Sequence, residues 1–141
     1  MTRDEMAAFF DRRRDAMSRH DWMTLARQHS EDGIVESPLA GGSAQGREAI
    51  EQVYRSFFRA FPDVTVRQDA LLMDGDRAVL LLNLSGTDSG GLMGLAPTGR
   101  SFSMAMVFLD EFKDGVIARE RRIYDFTGLL IQVGAIKAKP V

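Results

Sequence analysis

The sequence predicts an α+β fold, helices packed on one face of a mainly antiparallel sheet; if that sheet is curved and wraps around the one long helix, the two apolar faces enclose a cone-shaped pocket. Three observations carry this. Residues 46–61 hold apolar side chains at helical spacing. After Pro62 the apolar period changes from helical to strand-like. Two tight turns, Asp74-Gly75-Asp76 and Lys113-Asp114-Gly115, join long strand-like runs, and tight hairpins make antiparallel neighbours.

Each element has its own signal. Thr2-Arg3-Asp4-Glu5 fits a capping box, with the Thr oxygen taking a free amide and the Glu reaching back. Met6, Phe9, Phe10, Arg13 and Met17 then share one face of a helix of about four turns. Asp21 suits the N-cap of a short second helix through Trp22, Leu25 and Ala26. Residues 33–37 read as a strand stopped by Pro38. The helix over 46–61 places Ile50, Val53, Tyr54, Phe57, Phe58 and Phe61 together, and Pro62 ends it. Strands follow over 64–73, 77–85, 101–112 and 116–124, with a long loop over 86–99. In the third of these, Phe102, Met104, Met106, Phe108 and Phe112 share a face, and Ser101, Ser103, Ala105, Val107 and Leu109 share the other. A closing helix over 126–133 stops at Gly134.

Composition bounds the function. The chain has 141 residues, and 1–141 is expected to form one domain. A net charge of -2 offers no broad basic surface, so neither nucleic acid nor an anionic membrane is expected as a partner. There is no cysteine, which excludes disulfides, thiolate metal sites and a cysteine nucleophile. The charged run at 11–15 interrupts any apolar leader, and a cytoplasmic location is the expectation. No His/Asp/Glu group has metal-ligand spacing, so no metal site is expected.

Four stretches resemble one known family. They are Gly46-Arg47-Glu48-Ala49-Ile50, Phe61-Pro62-Asp63, Gly86-Thr87 leading to Pro97-Thr98-Gly99-Arg100, and Asp125 followed by Gly128-Leu129-Leu130-Ile131-Gln132-Val133-Gly134. In this order and spacing they resemble the SnoaL-like polyketide cyclases of the nuclear transport factor 2-like superfamily, a cystatin-like fold. The resemblance implies ring closure of polyketide esters by an intramolecular aldol reaction, with neither metal nor organic cofactor. It implies that an aspartate at the end of the last strand is the acid/base, and Asp125 stands there. It also implies a homodimer through the convex sheet face, where Ser101, Ser103, Ala105 and Val107 would allow close packing. Relatives often carry His after the Gly-Thr pair; this chain has Asp88, and its two histidines, His20 and His29, fall in the N-terminal helical region.

Asp125 is therefore the catalytic candidate, and a helix N-cap is its rival role. Regular alternation sets Arg119, Arg121 and Ile123 beside Asp125, with Glu120, Arg122 and Tyr124 opposite. A bulge is one way to reconcile arginine on both faces; solvation at the outer end of the strand is the other. Arg121 would either depress the Asp125 pKa or stabilise an enolate. Candidate substrate-binding residues are Trp22 at the mouth, Tyr54 and Phe58 on the long helix, Asn83, the Phe102, Met104 and Met106 face, and Arg121. Most of these serve equally well as core. Residues 87–98, with three glycines, read as either a mobile lid or a plain connection. Asp110-Glu111 and the N-terminal arginines read as solvated surface.

The function so implied is acid/base chemistry on a hydrophobic carbonyl compound, of cyclase/lyase or isomerase type. The alternative is a non-catalytic domain that binds a small hydrophobic ligand or dimerises; within the same fold an isomerase or an epoxide hydrolase is a further possibility.

Overall fold

The computed structural model describes residues 1–139. Positions 140 and 141 of the expected domain lie outside the described residues.

Helix α1 (Arg3–Ser18) opens on the expected capping box. Glu5 N donates to Thr2 Oγ1 at 3.1 Å, and Thr2 N donates to the Glu5 carboxylate at 2.8 Å. Its buried face is Met6, Phe9, Phe10, Arg13 and Ala16. Helix α2 (Trp22–Arg27) starts where Asp21 accepts from Thr24 N. Helix α3 (Arg47–Ala60) buries Ile50, Tyr54 and Phe58, and Pro62 follows its end. Burying each large apolar side chain is worth roughly 1.5–3 kcal/mol, so α3 is held mainly by this face.

Six strands form one sheet: β1 (His29–Ser37), β2 (Gly42–Gln45), β3 (Thr65–Asp74), β4 (Arg77–Thr87), β5 (Ser101–Lys113) and β6 (Val116–Tyr124). Their spatial order is β2-β1-β6-β5-β4-β3. All neighbours are antiparallel except β1 and β6, which run parallel. Helix α4 (Phe126–Gln132) closes the chain against β5. The α+β expectation and the mixed sheet hold. The expected strand over 33–37 is longer, beginning at His29, and β2 falls between Pro38 and α3, where no strand was expected.

The inner face of the sheet carries Ala78, Leu80, Leu82 and Leu84 from β4, and Phe102, Met104, Met106, Phe108, Asp110 and Phe112 from β5. On β6 a bulge decides the faces. Glu111 pairs with Arg119 but Phe112 with Ile117, so Ala118 is the extra residue. Ile117 and Glu120 are both buried, though three positions apart. Beyond the bulge Glu120, Arg122 and Tyr124 point inward, and Arg119, Arg121 and Ile123 point outward. The reading that set Arg121 on the pocket face is corrected by this parity: Arg121 is exposed and pairs with Glu36 at 3.0 Å.

Two further expectations are corrected by burial. Asp110 and Arg13 are not solvated surface; they are 0% and 3% exposed. Asn83, a candidate for the pocket, lies on the outer face with Val79 and Leu81, where Ser103 Oγ donates to its Oδ1 at 3.1 Å.

The loop after β4 is tied down at several points. Asp88 is buried and its carboxylate accepts from Gly91 N, Thr98 N and Thr98 Oγ1. Ser89 N and Gly90 N both donate to Ala60 O at the end of α3. None of its residues lines the cavity described below, so this loop acts as an anchored connection.

Candidate active site

The helices lie across the inner face of the sheet and leave a cavity there. Met17 of α1, and Val53, Tyr54 and Phe57 of α3, form one side. Leu84, Met106, Phe108, Arg122 and Tyr124 form the sheet side, with Ser37 and Leu39 at the end of β1. The space is about 430 Å³ counting its open mouth and the solvent there, and the enclosed part is narrow. Its lining is apolar except for Tyr54, Arg122, Tyr124 and Ser37. Tyr124 Oη is held by Ser37 Oγ at 2.7 Å and accepts from Leu39 N at 3.1 Å.

The polar end of the cavity continues into a buried network. Arg13 Nη2 donates to Tyr54 Oη at 2.5 Å and to Glu120 Oε2 at 3.0 Å. Arg122 Nε donates to the other Glu120 oxygen at 2.7 Å. Tyr54 Oη also meets His29 Nε2 at 2.9 Å. The Arg122 guanidinium lies over two rings, 4.9 Å from the centre of Tyr54 and 5.0 Å from that of Phe108. Its side chain is 10% exposed, and its Nη2 has no hydrogen-bond partner among the described residues.

Electrostatics assigns the charges. Burial disfavours the Glu120 carboxylate, but Arg13 and Arg122 outweigh burial and hold its pKa well below the usual range. Burial also opposes the Arg13 charge, but Glu120 together with the other acidic groups beside it outweighs burial, so Arg13 stays a cation. Burial drives His29 down to about 3, with Arg13 and Arg122 adding to the effect, so the ring is neutral. Tyr54 is pushed up, chiefly by burial, and stays a phenol.

Asp110 stands opposite Glu120 in the β5–β6 register. Neither of its oxygens has a donor among the described residues. Burial first, then the Glu120 charge, raises its pKa well above the usual value. As a carboxylic acid it has a proton to give to Glu120; as a carboxylate it would be a second buried anion beside the first.

The expected site residues are only partly brought together. Tyr54 and Met106 line the cavity. Phe58 is buried beside it and stacks on His20 at 4.5 Å. Phe102 and Met104 belong to the inner-face core, Phe102 packing on Phe61 at 4.5 Å. Trp22 is 37% exposed, with Arg55 over its ring. Asn83 and Arg121 are on the outer face. Asp125 is exposed, follows Tyr124 directly, and caps α4 by accepting from Gly128 N at 2.8 Å. It is not among the cavity-lining residues.

Arg13, His29, Asp110, Glu120 and Arg122 were missed as a group. The signal for three of them was present. Arg13 shares the helical face of Met6, Phe9, Phe10 and Met17. Asp110 falls in the inner-face register between Phe108 and Phe112. Arg122 is in register with Tyr124. His29 gave no such signal, because the residues after it, Ser30, Glu31 and Asp32, show no strand alternation.

Among the described residues no group of three His, Cys, Asp or Glu is placed to hold a metal, and no helix is long and apolar enough to cross a membrane.

Known proteins share this architecture. TsrD from Streptomyces laurentii superposes with a TM-score of 0.84 at 24% identity, covering 96% of this chain and 99% of its own. AclR from Streptomyces galilaeus, described as a candidate hydroxylase, gives 0.82 at 22%, covering 99% and 87%. IdmH from Streptomyces antibioticus, described as a candidate polyketide cyclase, gives 0.72 at 28%, covering 93% and 96%. Other solved structures of this fold are described as nuclear transport factor 2-like and ketosteroid isomerase-like. No curated protein matches the sequence. The family profile described as SnoaL-like polyketide cyclase matches residues 7–133, and the chain belongs to that family.

Proposed function

We propose that this protein is an acid/base enzyme of cyclase type that acts on a hydrophobic carbonyl compound held in the cavity. The observation that carries this reading is the arrangement of the cavity itself: apolar walls from α1, α3 and the sheet, with Tyr54 and the Arg122 guanidinium at the polar end. In an intramolecular aldol closure, a base removes a proton from the carbon next to a carbonyl. The resulting enolate carbon forms a bond to a second carbonyl carbon, and the alkoxide left there takes a proton. A guanidinium aimed at the developing enolate oxygen lowers that barrier, and its effect is large where water is excluded. Asp125, one residue beyond Tyr124 and outside the cavity lining, is the carboxylate that the family resemblance puts at the proton transfer, and helix capping is its rival role.

The test compares wild type, Asp125→Asn and Arg122→Met for turnover of aromatic poly-β-keto esters. Asn also caps helices, so Asp125→Asn should keep its melting temperature. Loss of about 100-fold or more in its rate supports the assignment. Turnover at the wild-type rate would reduce Asp125 to a cap. If wild type turns over none of these esters but binds them, the protein is a binder of small hydrophobic molecules.

A homodimer through the outer sheet face belongs to the same proposal. Leu72 and Ile123 are 60% and 59% exposed there, on the face that also carries Val79, Leu81, Val107 and Leu109. Arg119 and Arg121 with Glu36 give that face both signs of charge, as a self-complementary contact needs.

A further inference from the structure

We propose that the cavity takes its ligand as an organic anion: a molecule with an apolar body whose carboxylate, or acidic enol in its ionised form, pairs with Arg122. This deepens the reading of the cavity as the substrate site and rests on that reading, but not on any catalytic step.

The geometry supplies two arguments. The first is an unmet donor. Arg122 lines the cavity, its side chain is nine-tenths buried, and only its Nε has a carboxylate partner. Nη2 has the faces of two aromatic rings near its guanidinium but no acceptor among the described residues. Nη2 itself has no accessible surface, so the guanidinium meets the cavity through the little surface it keeps. An oxyanion there supplies an acceptor to a charged group that is short of one.

The second argument is the charge of the cluster. Five ionisable side chains surround Glu120: Arg13, His29, Tyr54, Asp110 and Arg122. Asp110 has no cationic donor of its own, so it remains an acid, and His29 is neutral. Two guanidinium cations therefore face a single carboxylate, and the cluster holds one positive charge beside the apolar walls of the cavity. A neutral ester leaves that charge uncompensated. A monoanion neutralises it, and the apolar walls then select anions with a hydrophobic body over small inorganic ones.

The experiment uses the intact chain and two isosteric probes, 2-naphthoate and 2-naphthamide, titrated calorimetrically at pH 7. The acid is expected to bind about tenfold or more tightly than the amide, the difference between a charge-assisted and a neutral contact. Arg122→Met should erase that preference, while Asp110→Asn should leave it in place. Repeating the titration in two buffers of different ionisation enthalpy should show no proton taken up.

Equal affinity of acid and amide for wild type would overturn the proposal, and this comparison needs no variant to fold. A preference surviving in Arg122→Met would overturn it as well. Uptake of one proton on binding would mean that Asp110 was ionised beforehand, which overturns the charge argument. The readout is binding, so a failure of the turnover assay with Asp125→Asn leaves the result standing, and the reverse also holds.

Discussion

Asp110 and Glu120 face each other across β5 and β6, both with no solvent exposure, and only Glu120 is a carboxylate. Their different states come from position. Glu120 accepts from Arg13 on both oxygens and from Arg122 on one of them, and Asp110 accepts from neither.

This makes the stability of the fold depend on pH through Asp110. Its folded pKa is raised above that of the unfolded chain, where an aspartate titrates near about 4. Its contribution is therefore fully present below that value and is lost as pH rises towards the folded pKa. Asn in its place cannot ionise, yet its amide can donate to Glu120. Asp110→Asn should match wild type in melting temperature near pH 4 and exceed it by several degrees near pH 8. The groups facing this position are Glu120, Arg13 and Arg122, all unchanged in the variant. Parallel profiles over that pH range would show that Asp110 is ionised in the fold.

Removing the other carboxylate should do the opposite. Glu120→Gln leaves Arg13 and Arg122 without their shared anion, and breaking a buried pair costs about 3–5 kcal/mol. The loss should fall at the lower end of that range, because Asp110 then ionises in its place. Denaturant unfolding of the double variant Asp110→Asn with Glu120→Gln checks this. It should be less stable than Glu120→Gln alone, though Asp110→Asn by itself is not destabilising at neutral pH.

Most of the fold was legible because its elements bury apolar stripes at regular spacing. Ile50, Tyr54 and Phe58 announce α3, and Phe102 to Phe108 announce β5. What failed was where polar residues take up core positions. Arg13 and Asp110 sit in core register, but taken singly each looks like surface, since a charge is buried only when its partner is buried with it. The partner comes from another element: Glu120 lies 107 residues from Arg13. The bulge at Ala118 shifts the β6 face by one residue; arginine on both faces pointed to a bulge but did not say where it falls. The β1–β6 pairing was hidden for the same reason, because it joins strands far apart in sequence through a polar stretch.

The anchored loop makes a separate prediction. A Cβ built on Gly90 would lie 1.8 Å from Arg59 O, which is backbone and cannot move aside cheaply. Gly90 N also donates to Ala60 O, so the loop and the end of α3 are held in direct contact. Gly90→Ala should force them apart and cost about 1–3 kcal/mol, as overpacking does. The loop does not line the cavity, so probe affinity should change far less than stability. Unfolding and naphthoate titration of the same variant measure the two effects.

The outer sheet face gives the last prediction. Ile123 on β6 pairs with Val107 on β5, and Leu81 and Ala70 continue that row across β4 and β3. In a dimer built on this face, a two-fold axis places the same row of each copy near its counterpart. Ile123→Glu would then bring like charges into a desolvated contact, while in a monomer the exposed side chain tolerates the change. Light scattering should give wild type twice the mass of the variant, with the variant's fold intact by circular dichroism. The inner face is untouched by the substitution, because the parity set at Ala118 points Ile123 away from it. Naphthoate affinity should therefore stay the same in dimer and monomer. A wild-type monomer would remove the dimer, and a loss of affinity in the variant would show that the second copy shapes the cavity.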